Sequence, residues 1–155
     1  MVHNLVRELL QSRRTLAVAE SLTGGALAAK VVDTAGASGA FLGGIVAYSA
    51  QAKRLLLGVP ADLIELRGTV DPDVALQMAI GVQEVFGSDV ALATTGVAGP
   101  GPSEQKPEGT VFIAAVLGEQ TMGRRFRFEG GRAAIREQTV EAALDLALAR
   151  LAGDE

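Results

Sequence analysis

The sequence predicts an α/β protein, a three-layer α-β-α sandwich on a mixed, mostly parallel sheet. Three observations carry that expectation. Short buried apolar runs alternate with helical stripes along the chain, the pattern of strands covered by helices on both faces. Glycine is abundant, at 19 residues, while aromatics make up only 4%, which favours tight packing and turns built from backbone. One late pair of segments around Gly118-Glu119 reads as a hairpin and supplies the antiparallel part. No repeat, low-complexity tract or linker divides the 155 residues, so one domain over 1–155 is expected.

Val2, Leu5, Val6, Leu9 and Leu10 form a helical stripe within residues 2–14. Residues 15–19 (TLAVA) read as a buried strand, followed by a turn at 20–25 and a helix at 26–32. Residues 33–39 are a small-residue connection, and the apolar stretch from Phe41 ends in a strand at 45–49. A helical turn or two at 50–57 closes at Gly58, and a short helix covers 60–66. Asp71-Pro72-Asp73 starts a helix running to about Phe86, with Gly87 as its stop. A second buried strand at 90–94 leads into the glycine-proline loop beginning at Gly96 and ending near Glu108. Strands at 111–117 and 121–128 make the hairpin, and Arg132–Leu151 is the closing helix.

Composition removes whole classes of chemistry. Cysteine is absent, which excludes disulfides, thiolate metal sites and a cysteine nucleophile. The one histidine, His3, lies beside an amino terminus expected to fray, which argues against a Ser-His-Asp triad or an imidazole-held metal. No metal or cofactor is expected. A net charge of -4 is a poor basis for binding a phosphate backbone, so nucleic acid is not an expected partner. No apolar run reaches spanning length and no signal peptide is visible, so neither a membrane contact nor export is expected and the location read is cytoplasmic. Chemistry is left to hydroxyls, lysine, arginine, carboxylates and backbone amides.

Four constellations could carry it. Residues 19–25 (AESLTGG) join a strand to a helix through two glycines, a geometry that favours an anion, although Ser21 or Thr23 could equally be a simple helix cap. Tyr48, the only tyrosine, precedes Lys53, which becomes a base if burial lowers its pKa and is otherwise an ordinary surface lysine. Residues 94–101 (TTGVAGPG) follow another buried strand, and ligands of open α/β sheets bind outside strand carboxyl ends. Arg136, with Arg132 one turn before it, could reach a phosphate as a bidentate partner.

Together, Ala19-Glu20-Ser21-Leu22-Thr23-Gly24-Gly25, Phe41-Leu42-Gly43-Gly44 with Tyr48-Ser49 and Lys53, and Thr95-Gly96-Val97-Ala98-Gly99-Pro100 resemble the carboxy-terminal domain of the CinA (competence/damage-inducible protein) family over about residues 5–150. Stand-alone members of that family are PncC-type nicotinamide mononucleotide (NMN) amidohydrolases. The resemblance implies hydrolysis of the NMN carboxamide to nicotinate mononucleotide and ammonia by a serine nucleophile and a lysine base. It points to Ser38 as nucleophile, Lys53 as base and Tyr48 assisting proton transfer or the oxyanion. Strand logic alone favours Ser21, because parallel strand ends would set it near Lys53 and Thr95, and Ser21 is kept as a necessary partner. By the same resemblance Thr23, Gly24, Gly25, Thr95, Gly96 and Arg136 bind the nucleotide, with Arg136 on its phosphate. A homo-oligomer is expected, as is the absence of the pyrophosphatase activity belonging to the amino-terminal domain of full-length CinA. The competing functions are a non-catalytic nucleotide-sensing module linked to competence or DNA damage, a DNA-associated competence factor, and an amidohydrolase for another small amide.

Overall fold

The computed structural model describes residues 2–153; residues 1, 154 and 155 of the expected domain lie outside them. Along the chain run α1 (Val2–Ser12), β1 (Leu16–Glu20), α2 (Ala26–Val32), β2 (Phe41–Val46), α3 (Ala50–Leu57), α4 (Ala61–Arg67), α5 (Pro72–Phe86), β3 (Val90–Gly96), β4 (Thr110–Leu117), β5 (Gln120–Arg127) and α6 (Arg132–Leu151). A single 3-10 turn, Ala37–Gly39, precedes β2. The strands form one sheet in the order β2-β1-β3-β4-β5. β2, β1 and β3 run parallel, and β4 pairs antiparallel with both β3 and β5. Only β4 opposes the common direction, which is the mixed, mostly parallel sheet expected.

Strand alternation sorts side chains between two cores. Leu16, Val18, Leu92 and Ile113 face one way, into a core with apolar residues of α1, α2 and α6. Ala17, Ala19, Ala91, Ala93 and Ala114 face the other way, where Val74, Met78 and Val82 of α5 cover them. Alanine on that face of three adjacent strands lets α5 lie close against the sheet. Among the described residues no helix is long and apolar enough to cross a membrane.

Three local readings are revised. β2 occupies the front of its apolar run, Phe41–Val46, rather than residues 45–49. Its pairing with β1, Leu16↔Phe41 through Glu20↔Val46, sets that position, and its two glycines permit it. A Cβ on Gly43 would lie 2.7 Å from the Phe86 ring, and one on Gly44 2.9 Å from the Val18 carbonyl oxygen. β1 begins one residue late, because Thr15 is drawn to Asp89, whose carboxylate accepts bonds from its amide at 2.9 Å and its hydroxyl at 3.1 Å. His3 is tied down within α1, its Nδ1 standing 3.1 Å from Thr34 Oγ1.

The connections explain where a ligand can enter. β1 leads through α2, on one face, to β2 at its side. β2 leads through α3–α5, on the other face, to β3 on the opposite side of β1. The two crossovers leave in opposite directions, so a crevice opens at the carboxyl ends of β1 and β3.

Candidate active site

That crevice holds a cleft of about 290 Å³, walled among others by Ser21, Tyr48, Thr95, Gly96, Glu104 and Arg132. Ser21 enters it because it is the first residue beyond β1, at the point where the backbone leaves the sheet. Lys53 lies beneath it. Ser49 caps α3, its Oγ accepting the Ala52 amide at 3.0 Å, which sets Lys53 in the first turn with its side chain directed into the protein.

Lys53 is 1% exposed, and its Nζ stands 2.9 Å from Ser21 Oγ, 2.8 Å from the Ala47 carbonyl and 3.3 Å from the Tyr48 carbonyl. Burial lowers its pKa from the ordinary 10.5 to about 8, with the Glu104 carboxylate partly opposing the shift. When the amine is neutral, its two hydrogens serve the two carbonyls and its lone pair is left for the Ser21 hydroxyl. The arrangement can therefore take a proton from a serine, the requirement for activating a hydroxyl without histidine.

Ser38 is corrected by this geometry. It lies exposed on the 3-10 turn before β2, beside Thr34 and Phe41, at the amino ends of the parallel strands. Lys53 serves the carboxyl ends, a six-residue strand away, or about 20 Å at the usual rise. The serine in reach of Lys53 is Ser21, as the strand-end argument had it. Tyr48 lines the cleft at 62% exposure and accepts a hydrogen bond on its hydroxyl from Arg132 at 3.3 Å. It meets Lys53 through its backbone carbonyl rather than its phenol.

The glycine turn after β1 also differs from expectation. Glu20, itself buried, turns its carboxylate onto the start of α2 and accepts the amides of Gly25, Leu27 and Ala28 at 3.2, 2.8 and 3.1 Å. The protein's own carboxylate thus fills the position an anionic ligand would take at that helix end. Thr23 is fully buried, with its Oγ1 2.9 Å from Thr94 Oγ1, and Gly24 lies against the Arg136 guanidinium. Thr23, Gly24 and Gly25 therefore shape the Ser21 loop from behind and do not line the cleft.

Arg136 is revised likewise. Its Nε and one terminal nitrogen donate to the carbonyls of Leu22 and Thr23, both at 2.9 Å, so it braces the loop that carries Ser21. Arg132, one turn earlier, is the arginine on the cleft, bonded to the Gly99 carbonyl and the Tyr48 hydroxyl. Thr95 and Gly96 do line the cleft, and Thr95 Oγ1 donates to the Thr69 carbonyl at 2.7 Å.

Sequence reasoning missed Glu104, Thr69 and Val70. The Glu104 carboxylate accepts the Thr69 amide at 2.9 and 3.1 Å, the Thr69 hydroxyl at 2.5 Å and the Val70 amide at 3.1 Å. Those bonds and Lys106 outweigh its partial burial and hold its pKa below the ordinary carboxylate value. No local pattern marks it, since its partners lie 34 and 35 residues back along the chain. Among the described residues no three histidine or acidic side chains converge as a metal site.

Fold and cleft thus define an α/β protein with a buried amine under a hydroxyl at the switch point of its sheet. The model of the CinA C-terminal domain matches residues 1–151, and the chain belongs to that family. A CinA-like protein of Geotalea daltonii is 52% identical over 132 residues, covering 84% of this chain and 32% of that protein. One of Frankia casuarinae is 48% identical over 145 residues, covering 94% of this chain and 34% of its own length. The chain spans about a third of the length of these curated relatives. Among solved structures, a CinA superfamily protein from Klebsiella pneumoniae superposes with a TM-score of 0.96 at 33% identity, covering 98% and 96% of the two chains. The competence/damage inducible protein CihA from Agrobacterium tumefaciens does so with 0.89 at 34%, covering 97% and 95%.

Proposed function

We propose that this chain hydrolyses the carboxamide of NMN to nicotinate mononucleotide and ammonia, with Ser21 as nucleophile and Lys53 as base. The observation that carries the reading is the buried Lys53 amine, its pKa lowered to about 8, lying 2.9 Å from a serine hydroxyl at the rim of the cleft. Membership in the CinA C-terminal domain family supports the substrate, and Arg132 on the cleft supplies a cation for its phosphate.

In the proposed reaction Ser21 Oγ attacks the amide carbon while Lys53 Nζ takes the hydroxyl proton. The tetrahedral intermediate collapses as Lys53 gives that proton to the departing nitrogen. Ammonia leaves, and the nicotinoyl group remains as an ester on Ser21. Water then attacks the ester, Lys53 again accepting the proton and returning it to Ser21 Oγ, and nicotinate mononucleotide is released. Tyr48 and Arg132 border the reacting region and orient the nucleotide.

The test is a coupled ammonia assay with NMN, nicotinamide and NAD on the wild type, Ser21→Ala and Ser38→Ala. NMN should release ammonia in the wild type and in Ser38→Ala, while Ser21→Ala loses nearly all turnover. Activity retained by Ser21→Ala and lost by Ser38→Ala would reverse the nucleophile. A wild type that binds NMN without releasing ammonia would make the domain a nucleotide-binding module.

A further inference from the structure

The loop between β3 and β4 forms one side of the cleft and is closed at its base by backbone bonds, Val97 donating to Thr110 and Gly109 to Val97, both at 2.8 Å. Its tip is a tight turn in which Ser103 and Lys106 exchange backbone bonds at 3.0 and 2.8 Å. The two central residues, Glu104 and Gln105, take φ of +52° and +63°. Such turns favour glycine, asparagine or aspartate, and a glutamate held there is strained by its Cβ. What offsets the strain is the side chain, which reaches out of the turn and takes the Thr69 and Val70 amides and the Thr69 hydroxyl. The fit is close, since a Cβ on Gly68 would lie 2.2 Å from a Glu104 oxygen. Thr69 in turn accepts the Thr95 hydroxyl on its carbonyl, so the contact reaches the end of β3 in the cleft wall.

We infer that Glu104 is a positioning residue that latches the Gly99–Pro107 loop onto Thr69 and Val70, fixing the wall of the cleft that Ser21 also lines.

The KM readout of this inference rests on the proposed function; the latch itself does not. Two variants test it. Glu104→Asn suits the turn but is too short for the latch, and Glu104→Gln keeps the length without the charge. In Glu104→Asn, hydrogen exchange at the Thr69 and Val70 amides should accelerate roughly tenfold or more with strand amides unchanged, and KM for NMN should rise. In Glu104→Gln, whose side-chain oxygen can still accept the Thr69 and Val70 amides, both exchange and KM should stay closer to wild type, a rescue by length that loss of the charge alone would not allow. Unchanged exchange in Glu104→Asn would overturn the latch. Exchange and KM changed as much in Glu104→Gln as in Glu104→Asn would overturn the role given to its reach. Should the wild type prove inactive on NMN, the proposed function falls while the exchange measurement still decides the latch.

Discussion

At the scale of the residue, Lys53 sits where its charge is unwelcome, and that is what makes it useful. An ordinary lysine is almost wholly protonated at neutral pH, whereas one titrating at about 8 supplies a substantial neutral fraction just above neutrality. Turnover should therefore fall as pH drops through that value, read from a kcat profile in NMN. Lys53→Ala and Lys53→Arg should both lose at least the 10²–10⁴-fold due to a general base, about what such groups contribute. Arginine keeps the positive charge but cannot give up its proton, so an active, normally melting Lys53→Arg would sink the mechanism. The same shift has a stability consequence. Between about 8 and 10.5 the unfolded chain holds more protons at residue 53 than the folded one, so stability rises with pH across that window. Below about 8 the burial penalty is present in full. Denaturant melts of the wild type against Lys53→Met should show the wild type gaining relative stability as pH climbs through the window, by a few kcal/mol at most. A constant difference would mean that Lys53 titrates normally.

At the scale of the element, α6 divides two roles between arginines one turn apart. Arg132 borders the cleft, so Arg132→Ala should mainly raise KM for NMN, by about 10- to 150-fold for a charge-assisted contact worth about 1.5–3 kcal/mol. Arg136 holds the carbonyls of Leu22 and Thr23, so Arg136→Ala should lower kcat by releasing Ser21 from register. A pure KM effect in Arg136→Ala would return it to the phosphate. α5 offers a packing test away from the chemistry. Its Gly81 meets the end of α3 so closely that a Cβ would lie 1.9 Å from the Leu57 carbonyl oxygen. Backbone cannot yield as a side chain tip can, so Gly81→Ala should cost about 1–3 kcal/mol, or more, in a chemical melt. Wild-type stability in that variant would show that α3 and α5 slide freely.

At the scale of the whole molecule, the described residues bring no histidine–carboxylate cluster together, and the proposed chemistry uses an amine and a hydroxyl. Activity should survive exhaustive EDTA treatment; a loss restored by zinc, magnesium or manganese would refute the Ser–Lys reading. By itself the sequence determined the element order, because period, capping and breaking residues act over a few positions. Asp71 with Pro72 started α5, and the alternation flanking Gly118-Glu119 made the hairpin. It also narrowed the chemistry, since no cysteine and one histidine leave few nucleophile–base pairs. The three strand-end motifs marked the loops that matter. Tertiary structure alone decided which side chains meet. Ser21 follows β1 and Ser38 precedes β2, and the parallel pairing of those strands sets the two serines at opposite ends of the sheet. Arg136, which the resemblance put on a phosphate, holds the protein's own carbonyls, and Glu20 fills the helix end where an anion was expected. Glu104 reaches partners 34 and 35 residues away. The physical reason is one of range: helices and turns are written in neighbouring residues, whereas a site at a switch point depends on strand order, register and the face each crossover takes.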